Sequence, residues 1–435
     1  MKDDKYFFDF RLQPGKKVKD TTTVYNQEQK PLISIITSYY NSDEFMWQTI
    51  NCVLNQTFPY WEWIIVDDGS TRKKSIEYLR RVEEIDKRIK IYHKQNEGLA
   101  KGRDYAIKFS KTKYILPLDA DDLLEPTYIE TLYWSLETNK DATWAFTNSL
   151  GFGKYIYLVD KDFDCEEMKT NNMITATALI KKEKILELHG YGVAKRYVNE
   201  DWHLWLRMLA NGEYPVQIPF YGFWYRRREE SLLSQINNEE NEENKLRLRD
   251  VKVEADKITE KVNAIIYPED TENKQENRRL ENTEKLLMIN NRKKCLFILP
   301  QTGPDKKMFE NIKDLSKEYD IYIITLENDR YSPYIYRQKY EKFATVFDLT
   351  TFLNKEYFIS FIEYMIATRK IKKIYIAKEL ELYNKLKKLL KDTNDVSYKA
   401  SNIIYNSKII KYKLCHTIIG RVIRKIIRII RKERI

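Results

Sequence analysis

Cysteine is scarce and scattered: Cys52, Cys165, Cys295 and Cys415 form no CxxC pair and have no histidine at zinc-ligand spacing. Neither a disulfide framework nor a structural zinc site is therefore expected. Long apolar runs are missing as well. No stretch of about 18 uncharged apolar residues occurs, the length needed to span a bilayer. The opening Met1-Lys2-Asp3-Asp4-Lys5 lacks the basic-then-apolar plan of a secretion leader. The expectation is a chain of the reducing cytosol without a spanning helix. Histidine is rare too, and His93, His189, His203 and His416 form no catalytic grouping by spacing. With only twelve glycines in 435 residues, those that remain mark positions where a side chain is poorly tolerated.

Hydrophobic residues make up 43% and aromatic residues 13% of the chain, enough to fill sizeable cores, which excludes disorder throughout. The net charge is +11, but residues 408–435 hold ten Lys/Arg against one acid, Glu433, and so carry +9 of it. The remainder is nearly neutral and has little from which to build a nucleic-acid groove, so no nucleic-acid partner is expected. In the same tail Ile418, Ile419, Val422, Ile423, Ile426, Ile427 and Ile430 fall on one helical face, with Arg421, Arg424, Lys425, Arg428, Arg431 and Lys432 elsewhere. That pattern suits an anionic membrane surface. A helix docked on the protein's own core or on a partner would show the same stripe.

At this length two or three domains are expected. Residues 1–30 read as an N-terminal extension. From 31 to 235, strand-length apolar runs alternate with amphipathic helical stretches, the α/β pattern: Leu32–Thr37, Trp61–Val66, Ile89–His93 and Tyr114–Leu118 as strands, Asp43–Leu54, Lys73–Ile85, Leu99–Phe109 and Pro126–Leu136 as helices. Residues 236–292, rich in Asn, Glu, Lys and Arg, read as a charged, partly helical linker. Strand-like runs at Lys294–Pro300, Ile321–Leu326 and Lys373–Ile376, with helices at Lys306–Glu318 and Leu380–Leu390, predict a small α/β domain over 293–400. The basic amphipathic helix, 407–435, closes the chain.

Two acidic clusters follow apolar strands. Val66-Asp67-Asp68-Gly69-Ser70 places two carboxylates at the carboxyl end of a strand, where open α/β sheets bind ligands. Alone it fits equally an ordinary strand-to-helix turn capped by Ser70. Leu118-Asp119-Ala120-Asp121-Asp122 packs three acids into four positions, an arrangement that repels itself unless a cation lies among them. Magnesium and manganese suit such a site, since one or two carboxylates plus substrate phosphates hold them. A surface acidic turn is the alternative.

With Ser34-Ile35-Ile36-Thr37-Ser38-Tyr39-Tyr40-Asn41 ahead of them, in this order and spacing, these clusters resemble those of a family 2 glycosyltransferase, over about Pro31 to Ser234. The resemblance implies the GT-A nucleotide-diphospho-sugar transferase fold, a mixed and mostly parallel sheet with flanking helices. It implies that Tyr40, Asn41, Asp67, Asp68, Asn96, Gly98, Arg103 and Asp119 bind the donor nucleotide, with Asp121 as the metal ligand. Asn199-Glu200-Asp201-Trp202 matches the family's Glu-Asp motif, making Asp201 the general base that takes the acceptor proton as the hydroxyl attacks. The chain departs from the family three times, first at Asp104, where asparagine is usual after Arg103. Ser38 stands where proline is usual, and the segment Trp224-Tyr225-Arg226-Arg227-Arg228 is not followed by the usual histidine. Arg226 or Arg228 could then cover the diphosphate by charge, with Glu200 and Trp202 as further diphosphate or acceptor contacts. Trp202, Trp205, Trp224 and Tyr225 either stack on a sugar or belong to the core. The small domain at 293–400 weakly resembles part of a GT-B type glycosyltransferase.

The expected function is inverting transfer of a sugar from a nucleotide-diphosphate donor, a UDP-sugar by family habit, to a glycan or lipid-linked acceptor. The place would be the inner face of the cell membrane, in making a bacterial surface polysaccharide. A metal-dependent nucleotidyltransferase and a catalytically silent membrane scaffold are the competing readings. Oligomeric state has no signature in the sequence.

Overall fold

The computed structural model describes residues 8–16, 24–192, 199–229, 242–267, 286–290, 292–303, 305–327, 334–377, 379–390 and 395–399. It divides into two compact units, one of Met1–Asn291 with Phe347–Lys370 and one of Arg292–Val346 with Ile371–Ile435.

The first unit is built on a mixed sheet. Its strands are β2 (Ile33–Tyr39), β3 (Trp61–Asp68), β4 (Ile89–Lys94), β5 (Tyr114–Pro117), β6 (Leu123–Leu124), β7 (Trp144–Gly153), β8 (Tyr157–Val159), β9 (Leu179–Lys181), β10 (Pro215–Arg227) and β11 (Ile265–Ile266). They run in the order β11-β10-β7-β9-β5-β2-β3-β4, with β6 paired to β10 and β8 to β7. The pairs β2–β3, β2–β5, β3–β4, β7–β10 and β10–β11 are parallel; those through β6, β8 and β9 are antiparallel. The hydrophobic run of β2 is buried almost end to end, as a strand covered on both faces requires. Helices α1 (Met46–Leu54), α2 (Lys73–Ile85), α3 (Leu99–Phe109) and α4 (Tyr128–Thr138) connect the early strands. A methyl group on Gly102 would sit 2.0 Å from Ser38 Oγ, so glycine lets α3 lie close on β2. Two short helices, α5 (Cys165–Met168) and α6 (Lys182–Glu187), precede α7 (Glu200–Ala210).

Two expectations about organisation are corrected, those for residues 236–292 and 347–370. The stretch read as a linker supplies α8 (Glu242–Ala255) and β11, and Val251, Ala255 and Ile258 are buried in the same core as Trp202, Leu206 and Leu209 of α7. Val251 and Ala255 on one face, with Ile258 just past its end, seat that helix although its composition is polar. In the N-terminal extension Phe8 packs edge-on against Trp224, and β1 (Val24–Tyr25) pairs with β12 (Met288–Ile289). Residues 347–370, expected within the small domain, belong to the first unit. There the helix Phe358–Arg369 packs Phe361 and Tyr364 on Trp134 of α4. Arg369 Nη2 reaches both oxygens of Glu130 at 2.7 Å, and the Tyr364 hydroxyl donates to Glu130 at 2.6 Å.

The second unit carries a five-stranded sheet in the order β15-β14-β13-β16-β17, from β13 (Lys293–Leu299), β14 (Tyr319–Thr325), β15 (Ala344–Asp348), β16 (Lys373–Ala377) and β17 (Asp395–Lys399). The β13–β14, β13–β16 and β16–β17 pairs are parallel. The helix after β13, Lys306–Leu315, is capped by Asp305, whose carboxylate accepts the N–H groups of Lys307 and Met308. A side chain of the unit therefore satisfies two of the donors at this helix start. No helix among the described residues is long and apolar enough to cross a membrane. The basic tail, 407–435, lies outside the described residues.

Candidate active site

The site forms where β5 leaves the sheet. Leu118 still donates to Ile36 O at 2.9 Å and accepts from Thr37 Oγ1 at 2.6 Å; beyond it the chain turns through Asp119–Asp122 at the carboxyl edge of the strands. Thr49 of α1 ties the turn down, donating to the carbonyls of Ala120 and Asp122. Arg226, near the end of β10, closes it from the other side: its N–H donates to Asp122 Oδ1 at 2.8 Å and its Nε to Asp121 O at 2.7 Å. Burial raises the Asp121 carboxyl above its usual range, opposed by Arg228 and reinforced by Asp119. Asp122 is pushed up further, by burial and by the two neighbouring acids.

Below the turn lies Arg103 of α3, wholly buried. It donates to Asp119 Oδ1 at 2.7 Å and to Glu200 Oε1, and Tyr191 faces its guanidinium at 5.5 Å. Burial opposes its charge, and the two carboxylates more than compensate. Arg103 thus joins the acidic turn to the start of α7. There Asn199 takes a left-handed φ of 69°, which asparagine tolerates, and Glu200 and Asp201 fill the first turn, where the helix dipole favours acids. Glu200 is pushed up to about 7 by burial, with Asp201 and Asp119 adding to the effect and Arg103 opposing it. Asp201 accepts from Asn172 Nδ2 at 3.2 Å and from the Trp202 N–H at 2.7 Å. Burial raises its pKa against the pull of Arg103 and these donors.

The two ends meet across a cavity of about 440 Å³. Asp119, Asp121, Asp122, Glu200, Asp201, Arg226 and Arg228 line its polar side, and Tyr157, Val159, Ile174, Phe223 and Tyr225 its apolar side. Of the expected residues, Asp119, Asp121, Glu200, Asp201, Arg226 and Arg228 are brought together here.

Tyr40, Asn41, Asp67, Asp68, Asn96 and Gly98 gather instead at the ends of β2, β3 and β4, outside the cavity lining. Asp68 accepts from Lys94 Nζ and from the Glu97 and Gly98 N–H groups, and so fixes the loop into α3. Asp67 accepts from the Ser70 N–H at 2.9 Å and stands 3.0 Å from His93 Nδ1. Asn41, at a φ of 49°, accepts from the Thr71 and Arg72 N–H groups and pins the β3–α2 turn. Tyr40 is half exposed beside them.

Three of the aromatic candidates belong to the core. Trp202 Nε1 donates to Met168 O, Trp205 stacks on Trp144, and Trp224 is fully buried with Nε1 on Glu125. Tyr225 is the member of that set that faces the cavity.

The profile of glycosyl transferase family 2 matches residues 34–151, from the start of β2 to near the end of β7. An uncharacterized glycosyltransferase of Methanocaldococcus jannaschii is 30% identical over 200 residues, which are 42% of this chain and 66% of that protein, just under two thirds. Over residues 34–151 the chain is similar to glycosyl transferase family 2. A Bacillus subtilis relative, TuaG, whose name provisionally assigns it to teichuronic acid biosynthesis, is 29% identical over 192 residues, 42% of this chain and 74% of that one. Among solved structures, S. aureus TarS 1–349 in complex with UDP-GlcNAc aligns with 52% of this chain and 71% of its own chain, at 16% identity and a TM-score of 0.41.

Sequence reasoning missed the wall facing the acids: Tyr157, Val159, Asn172 and residues 174–177. Tyr157 and Val159 stand on β8 and the others on the loop between α5 and β9, a stretch without a motif, and the nearest available signal was its position between two motif-bearing segments. Among the described residues no group of three or more His, Cys, Asp or Glu side chains is arranged to hold a metal by itself. The donor set, Asp121 with Asp119 beside it, fits magnesium or manganese in the manner of a cation shared between carboxylates and substrate phosphates.

Proposed function

We propose that the transferase moves a sugar from a nucleotide-diphosphate sugar, a UDP-sugar in the first instance, to an acceptor hydroxyl with inversion at the anomeric carbon. The observation that carries this reading is the single cavity into which an acidic turn with two arginines and the carboxylate of Asp201 both open. Inversion needs a nucleophile and a leaving group on opposite faces of the sugar. Asp119, Asp121 and the arginines form the leaving-group end, where a divalent cation held by Asp121 and Asp119 would neutralise the departing diphosphate. Asp201 forms the other end. Its carboxylate accepts the acceptor proton as the hydroxyl attacks, and its raised pKa makes it a stronger base than an ordinary aspartate. Asn172 orients that carboxylate. Tyr157 and Tyr225 offer flat apolar faces suited to a sugar ring.

The acceptor is a glycan or lipid-linked saccharide, in making a cell-surface polysaccharide; relatives such as TuaG and the basic tail favour this reading. The tail would hold the enzyme at the anionic inner face of the membrane, raising the local acceptor concentration. Replacing Asp201 with Asn tests the assignment. Binding of UDP-sugar should stay within about twofold while transfer falls by about 10² or more. Equal loss of both, or neither, would remove Asp201 from the role of base.

A further inference from the structure

The basic residues that line the cavity are Arg226 and Arg228, and they are held very differently. Arg226 is locked: its guanidinium lies 4.2 Å from the Phe45 ring centre and 4.5 Å from that of Phe152, with Nε on Asp121 O and Nη2 on Gln48 Oε1. Its donors are directed into the protein. Arg228 follows the last ladder pair of β10, Arg227 with Gly153, so its backbone is past the sheet. Its side chain is 38% exposed, and Nη2 reaches Asp121 Oδ2 at 2.7 Å, while the Asp121 side chain is only 17% exposed. Asp119, the other member of the pair, is already engaged by Arg103 from beneath. Asp121 is therefore the carboxylate that an incoming cation would seek, and a partly exposed guanidinium already stands on it.

We propose that Arg228 is a movable cation that competes with the divalent ion for Asp121 and, once displaced, turns its fork onto the donor diphosphate. The inference rests on the nucleotide-sugar reading above and adds a division of labour to it: Arg226 shapes the acidic turn, and Arg228 carries exchangeable positive charge. A guanidinium meets phosphate oxygens with two parallel donors, so its release from Asp121 costs little once a diphosphate is present. Arg228 then supplies charge where the family's histidine is missing, and nucleotide binding keeps a part that needs no metal.

The test uses the full chain and two readouts besides turnover: manganese binding to the donor-free protein, followed by the electron paramagnetic resonance of free ion, and calorimetric UDP binding in EDTA. Arg228→Ala should bind manganese about three- to tenfold more tightly, since its competitor is gone, and should lose about tenfold or more in UDP affinity in EDTA. Arg228→Lys should recover part of the UDP affinity. Unchanged manganese and UDP affinities in Arg228→Ala, with wild-type UDP binding intact, would overturn this inference alone. Absence of UDP binding by the wild type with or without manganese would overturn the donor reading and this inference together.

Discussion

The buried pair of Glu130 and Arg369 gives the sharpest stability prediction. Both side chains are out of solvent, Arg369 reaches both carboxylate oxygens, and Tyr364 donates a third bond to the same carboxylate. Replacing Arg369 with Met keeps most of the volume and strands the carboxylate with one donor. Removing one partner of a buried pair costs about 3–5 kcal/mol, because the remaining charge has lost its solvent and its counter-charge. At a urea dependence of about 3 kcal/mol per molar, this moves the unfolding midpoint of the first unit down by about 1–1.7 M. The assay is urea unfolding followed by tryptophan fluorescence. All eight tryptophans lie between Trp47 and Trp224, so the signal reports this unit. The double variant Glu130→Leu with Arg369→Met should recover most of the loss, since an apolar pair of similar volume removes the stranded charge. A midpoint within about 0.3 M of wild type for Arg369→Met would refute the reasoning, as that amounts to about 1 kcal/mol. A double variant as weak as the single would assign the loss to packing instead of charge.

Two more outcomes follow. Asn172→Ala removes a hydrogen bond to the ionised form of Asp201, so the pKa of that carboxyl, already raised, moves further up. The acidic limb of kcat/KM against pH should shift to higher pH by about half a unit to one unit, with the plateau at high pH little changed; no shift, or a downward one, would count against Asp201 as the titrating base. Gly102→Ala brings a methyl group onto Ser38 and should destabilise the first unit by about 1–3 kcal/mol in the same urea assay, whereas a neutral result would mean that α3 can shift off β2 freely.

Much of the sheet was legible because its strands are buried on both faces and its helices are amphipathic. The spacing predicts Lys73–Ile85, Leu99–Phe109 and Leu380–Leu390 at the bounds observed. The acids of the candidate site were legible as well, since three carboxylates in four residues are costly without a purpose. What the spacing could not convey was tertiary. Trp202 has the same helical spacing whether it faces a sugar or Met168 O. Asn41 is expected as a nucleotide contact, but neither its positive φ nor its grip on the β3–α2 turn is visible in the spacing. The apolar positions Val251, Ala255 and Ile258 are hidden in a charged stretch, and no local signal tells that the helix Phe358–Arg369 packs on α4 and not within the small domain.

The account stands on nucleotide recognition at the acidic turn, and calorimetric titration of the wild-type chain and Asp121→Asn with UDP and a panel of UDP-sugars, each with and without manganese, tests it most directly. The account predicts binding in the micromolar range that manganese strengthens in the wild type, with the strengthening lost in Asp121→Asn. Absence of binding by the wild type to any nucleotide diphosphate, with or without manganese, would contradict it.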